Sequence, residues 1–147
     1  KTIRERTVDN PEFAKDVAIS QDLSEINNAL GICRQSISSG TQIVDDLLYL
    51  ILDEIYFLTG IKLSLKELMQ IGERIFNLKR VFNNKCGITK KDDQLPPRLK
   101  FPLEKGRLKG KVLTIDLMLD EYYKFRGWND SGIPKDDKLA ELEIINY

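Results

Sequence analysis

Cys33 is the first residue with chemistry to offer. It lies in the run Asn28-Ala29-Leu30-Gly31-Ile32-Cys33-Arg34, just past a glycine placed to end a helix. A thiolate at such a terminus can ligate iron, and backbone amides around the turn can donate hydrogen bonds to a cluster or cofactor. One thiolate cannot hold a cluster alone, and a single cysteine among apolar residues is more often a small buried hydrophobe. The pairs Asp45-Asp46, Asp53-Glu54, Asp92-Asp93 and Asp136-Asp137 offer metal or acid–base chemistry in principle. Successive helical positions do not face one another, so the helical pairs read as solvated edges, and only Asp92-Asp93 falls in a loop. The stretch from Glu121 to Trp128 is aromatic and cationic and could stack on a ligand. At helical spacing, a core face closed by an aromatic C-cap explains it better. The sequon Asn129-Asp130-Ser131 is a chance match in a chain with no secretion signal.

The chain has 147 residues, 23 basic and 23 acidic side chains, no histidine and two cysteines. The missing imidazole removes Ser-His and Cys-His nucleophile pairs, imidazole general bases and most zinc or copper sites. Zero formal charge and the lack of a basic stripe interleaved with aromatics predict no nucleic-acid partner. Cys33 and Cys86 have no paired-ligand spacing and point to a reducing compartment. The longest apolar run, Ile43 to Leu58, is interrupted by four carboxylates, which predicts no membrane span and a buried helix instead. The chain opens at Lys1 rather than at a methionine, which reads as a cut end.

These residues need elements to position them. Asn10-Pro11 opens a short helix to about Ile19, and Asp22 or Ser24 opens a second, with Leu23, Ile26 and Leu30 on one face and Gly31 at its end. Thr41 caps a long helix to Thr59, stopped by Gly60 and apolar over most of its circumference, which makes it the expected central helix. Ser64 and Glu67 form a capping box for a helix from Leu65 to about Asn84, with Leu65, Leu68, Gly72, Ile75 and Phe82 on its apolar face. Gly72 there lowers helix propensity by about 1 kcal/mol against alanine, which predicts close approach of a neighbouring backbone. Between Cys86 and Lys111 prolines and glycines predict a long loop packed on something. Thr114 caps a helix ended by Gly127, with Trp128 packing back over the last turn, and Pro134 opens a final helix from Lys135 to about Leu142. The expectation is all-α: an irregular bundle of about six helices with one long Pro-rich loop, in a single domain over residues 1–147.

Three blocks taken in order resemble the C-terminal helical domain of the tungsten-dependent, and related molybdenum, aldehyde:ferredoxin oxidoreductases. They are Asn28 to Cys33, then Gly72-Glu73-Arg74-Ile75-Phe76-Asn77-Leu78 running on to Gly87 through Arg98, and Met118 through Trp128 with Gly132-Ile133-Pro134. In that family an Asp-x-x-Gly-Leu-Cys segment touches the pterin of a bis-molybdopterin tungsten cofactor, and its cysteine is the last ligand of a [4Fe-4S] cluster. The resemblance implies that Asn28 faces the pterin, Ile32 lends backbone contacts and Cys33 ligates the cluster. Asn28 stands where the family usually has an aspartate, and Gln35 where an aromatic is common. A neutral amide can still hydrogen-bond a pterin but loses the charge-assisted bond.

The resemblance further implies an enzyme that oxidises aldehydes to carboxylic acids and passes electrons through the cluster to ferredoxin, in a cytoplasmic setting. The other cluster cysteines and the cofactor-cradling β domain belong to the remaining domains of that enzyme or to a complementary subunit, so this chain alone is expected to be inactive and to bind no cofactor by itself. It is also expected to expose an apolar face around Leu30 and Ile32 and to self-associate. The alternative is a non-catalytic helical interaction or scaffold module that has lost metal binding. An independent hydrolase has no nucleophile–base pair to stand on.

Overall fold

A computed structural model describes residues 11–33, 43–102, 104–106, 109–110, 112 and 114–144, with side chains in the second helix described from Leu48 onward. The expected caps at Asn10 and Thr41, and Gln35, lie outside the described residues. Five α-helices follow in order: α1 (Phe13–Leu30), α2 (Ile43–Thr59), α3 (Leu65–Lys85), α4 (Asp116–Arg126) and α5 (Asp136–Glu141). A 3-10 turn over Pro97–Lys100 lies in the Pro-rich loop, where a proline at its first position costs no hydrogen bond. Among the described residues the one β feature is an isolated bridge between Trp128 and Pro134. The all-α expectation therefore holds.

The expected pair of short helices before Gly31 is a single helix. The residues between them, Ser20-Gln21-Asp22, continue the helix, and the side chains of Gln21 and Asp22 find partners on α4. Ser24 donates its hydroxyl back to the Ser20 carbonyl at 2.7 Å, Gln21 accepts from the Tyr122 hydroxyl at 2.7 Å, and Asp22 pairs with Arg126. This merger also brings the helix count down to five.

α1 packs along α3 and α4, and α2 packs chiefly on α3. One core cluster joins Ala14 and Ala18 of α1 to Tyr122, Tyr123 and Trp128, with Phe76 and Met118 against it. Small alanines on α1 let the aromatic rings approach, and the rings meet edge-on or stacked: Tyr122 is perpendicular to Trp128 at 5.6 Å, and Phe76 lies parallel to it at 6.3 Å. Trp128 returns over the last turn of α4 as expected, because Gly127 and Trp128 donate to the Lys124 and Tyr123 carbonyls in a Schellman turn. A second cluster holds Ile26, Leu48, Ile51 and Leu68, with Ile32 packed against it.

Gly72 faces α1 as its place on the apolar stripe predicts. A Cβ built there lies 2.4 Å from the Asp22 carbonyl oxygen and 2.9 Å from its carbon. The capping box is present too, with Ser64 and Glu67 exchanging hydrogen bonds.

Two expectations fail on where the apolar surface goes, and a third on where a helix starts. α2 is peripheral rather than central: Leu50, Tyr56, Phe57 and Leu58 are exposed, because only one side of it meets α3. Phe82 is also exposed, since α3 at that height turns Arg80 rather than Phe82 inward. α4 begins at Asp116 with Ile115 at the N-cap position, one residue beyond a start capped by Thr114.

The centre of the fold is polar. Arg126 is fully buried and uses its donors on four oxygens: Asp22 at 2.6 Å, the Ala18 carbonyl at 2.9 Å, Gln21 at 3.0 Å and the Tyr122 hydroxyl at 3.2 Å. Its guanidinium also lies 4.2 Å from the centre of the Phe76 ring. A charge held this deep is tolerable only when paired and hydrogen-bonded. Asn77, also fully buried, accepts from the Trp128 indole at 2.7 Å and donates to the Glu73 carbonyl.

Two outcomes follow. Gly72→Ala gains about 1 kcal/mol of helix propensity, yet its methyl meets backbone that cannot rotate away, so a net loss of about 2 kcal/mol is expected from denaturant unfolding. Burial pushes the Asp22 carboxyl from 3.8 up to about 6, against the pull of Arg126. The folded state therefore binds this proton more tightly than the unfolded chain, and the stabilisation from protonation, complete below 3.8, is lost as pH rises through about 6. Stability of the parent chain minus that of Asp22→Asn should fall between about pH 4 and 8; a flat difference would remove Asp22 as the source.

Candidate functional site

The sequence assigns chemistry to the end of α1, and the backbone there is closely specified. Gly31 and Ile32 donate to the Asn28 and Asn27 carbonyls at 3.3 and 2.9 Å, a Schellman turn that satisfies two helix-end acceptors. The turn requires a left-handed residue, and Gly31 has φ of 72°. Ile32 then turns back onto the cluster formed by Ile26, Leu48, Ile51 and Leu68, the apolar contact that accompanies this motif. Anchoring Ile32 fixes the two residues around it. Asn28, on the last turn, and Cys33, directly after the anchor, are both exposed at the same end of α1, while Ile32 is half-buried.

The structure thus keeps Asn28, Ile32 and Cys33 together, as their spacing in the chain requires. It adds no further metal ligand to them. Among the described residues no group of three or more Cys, Asp or Glu side chains is placed to hold a metal ion. Cys86 is exposed at the C-cap of α3, where its amide donates to the Phe82 carbonyl. Of the apolar face expected around Leu30, Ile32 and nearby helix residues, Leu30 is 43% exposed, while Ile32 is half-buried against the second cluster.

Asp92, Asp93 and Asp137 have structural partners, and the side chains of Asp45 and Asp46 lie outside those described. Asp93 takes two guanidinium nitrogens of Arg80, the first at 3.0 Å, and the Tyr123 hydroxyl. Burial works to raise the Asp93 carboxyl, but the hydrogen bonds from Arg80 and Tyr123 outweigh it and hold it below the ordinary carboxylate value. Asp92 accepts from the Thr89 amide at 2.8 Å and shapes a turn. Asp137 sits in the first turn of α5 and accepts from the Lys138 amide, while Asp53 and Glu54 are exposed.

Arg80 also donates to the Gly132 carbonyl at 2.7 Å and stacks 4.7 Å from the centre of the Trp128 ring. This network borders a cleft of about 440 Å³ among α1, α3 and α4, lined by Phe76, Met118, Tyr122, Tyr123 and Trp128. Burial, reinforced by Asp93, pushes the Tyr123 hydroxyl well above its ordinary value, so it serves as a hydrogen-bond donor and not as a base. A second groove of about 900 Å³ runs between Lys90, Lys100, Thr114 and Asp130. Neither includes Asn28, Ile32 or Cys33. The sequence analysis missed both Arg80 and Arg126. Apart from Tyr122, four positions before Arg126, their hydrogen-bond partners stand 13 to 108 positions away in the chain.

Residues 3–144 match the family model described as aldehyde ferredoxin oxidoreductase, domains 2 & 3. The chain is 37% identical over 139 residues to the tungsten-containing aldehyde ferredoxin oxidoreductase of Pyrococcus abyssi, and 36% identical over 139 residues to that of Thermococcus kodakarensis, with 92% of this chain covered in each case. It spans about a fifth of the length of these relatives, 22%. A solved structure of the active site complex BamBC of benzoyl coenzyme A reductase, in complex with 1,5 dienoyl-CoA, is similar in fold at a TM-score of 0.68. It is 26% identical and covers 89% of this chain and 19% of that one.

The α1 terminus generates its own test. Nothing lies within 4 Å of a Cβ at Gly31, so Gly31→Ala is opposed by backbone conformation alone. A loss of about 1–2 kcal/mol in denaturant unfolding is expected; an unchanged midpoint would mean that the left-handed turn is not maintained in solution.

Proposed function

This chain belongs to the aldehyde ferredoxin oxidoreductase family, and we propose that it is the C-terminal helical part of a tungstopterin oxidoreductase, contributing one iron–sulfur ligand and one wall of the cofactor cleft. The observation that carries the proposal is the exposed thiol of Cys33, held next to the anchored Ile32 on a chain that matches the family along nearly its whole length. A single thiolate supplies one corner of a shared [4Fe-4S] cluster and not a complete site. The other three ligands then belong to the remaining domains of the same enzyme or to a complementary subunit.

Tungsten, or molybdenum, held by pterin dithiolenes would supply the redox chemistry, by which an aldehyde and water become a carboxylic acid, two protons and two electrons bound for ferredoxin. This chain's own residues bind and orient. Asn28 offers a neutral amide, one acceptor and two donors, toward the pterin. Ile32 fixes the backbone between the pterin contact and the cluster ligand, and the Schellman turn leaves that backbone little freedom to drift. A ligand fixed in this way needs no reorganisation when an electron arrives. The setting we propose is cytoplasmic. Neither substrate turnover nor cofactor binding is expected of the chain by itself.

A non-catalytic scaffold is the second reading, and the observation favouring it is Asn28 itself, which lacks the charge of the family's usual aspartate. Iron content separates the two. In the intact enzyme or complex, purified anaerobically, Cys33→Ser should lose cluster iron while Cys86→Ser keeps it. Equal iron in the two variants would overturn the ligand assignment and leave the scaffold reading.

A further inference from the structure

Burial is shared unequally among the helices. α1 packs on both α3 and α4, whereas α2 packs chiefly on α3 and turns one side outward. Its inward residues Leu48, Ile51, Leu52 and Ile55 meet Ile26, Ile32 and Leu68. Positions seven apart return to nearly the same helical face, which pairs Leu50 with Phe57 and Tyr49 with Tyr56 on the side away from that cluster. Leu50 is 52% exposed, Phe57 81%, and Leu58 and Ile61 at the C-terminal corner 85% and 56%. Asp53 and Glu54 are exposed on the same side. Large apolar side chains grouped in this way mark a surface that another surface covers.

What covers it is indicated by two observations. The chain spans 22% of its relatives' length, so in those relatives most of the polypeptide lies outside the part matched by this chain. Ile32 packs on the inward side of α2, so α2 stands beside Cys33, and a polypeptide bringing further ligands to that thiol approaches α2 as well. We infer that the outward side of α2 is the seat of the polypeptide carrying the rest of the family fold, which meets it with apolar side chains and with cationic groups opposite Asp53 and Glu54. This rests on the proposed function. It adds the surface by which the two parts are joined.

The test is alkylation of the intact, anaerobically purified protein carrying Leu58→Cys, with a maleimide and readout by mass spectrometry of the α2 peptide. Phe57→Cys serves as a second reporter, and neither replacement removes a buried contact within this chain. Both thiols should react about a hundredfold more slowly in the native protein than after unfolding in urea. Native rates close to the unfolded ones would overturn the inference. Protection that vanishes on dilution to a monomer, followed by light scattering, would assign the surface to a second copy and overturn it too. Iron content in a Cys33→Ser background is read separately: retained iron would sink the ligand proposal without altering the alkylation rates.

Discussion

The ion pair between Asp22 and Arg126 is the interaction on which the rest of the structure depends. It lies where α1 meets α4, next to the point at which Gly72 of α3 touches the Asp22 backbone, so one residue of α1 fixes its register against two other helices. A buried pair of this kind adds little net stability over an apolar substitute, whereas removing one partner costs about 3–5 kcal/mol because a charge is left unpaired. Its value here is in specification. An apolar contact tolerates sliding by a fraction of a turn, but four directed hydrogen bonds from one guanidinium do not.

Register at Asp22 carries through to the C-terminal end of α1. Ile26 is one turn further on and enters the second core cluster, and Asn27 supplies the carbonyl that closes the Schellman turn. Ile32 returns to the same cluster. Asn28 and Cys33 are therefore positioned by a chain of rigid contacts that begins in the buried core, although both are exposed. A side chain on a rigid element is held more exactly than one on a free loop, and the ligand role proposed for Cys33 calls for that exactness.

The second polar network, Arg80 with Asp93, Tyr123 and the Gly132 carbonyl, has a different role. It ties the start of the Pro-rich loop and the turn after α4 to α3, and it consumes the loop carboxylate that looked most suited to chemistry. Lys90 adds a backbone hydrogen bond to Ser131 and an ion pair with Asp120, so the loop's first third is held to the helical body at several points. The acidic pair is a fastening, and the proposed site is Asn28 to Cys33.

By itself the sequence determined most features whose cause is local. Gly31, Gly60 and Gly127 end helices, Ser64 and Glu67 start one, Gly72 announces a close approach, and Trp128 folds over its own helix, because each depends on residues within about one or two turns of the chain. The position of Cys33 just beyond a helix end was legible for the same reason. Only the tertiary structure decided that Ser20 to Asp22 continues a helix, that α2 lies at the edge and not at the centre, and that Arg80 and Arg126 are buried. A polar residue reads as a surface or a break until its partner is known, and these partners lie far away in sequence. An apolar helix likewise reads as buried on all sides, because the sequence of one helix does not say how many neighbours this part of the fold can provide.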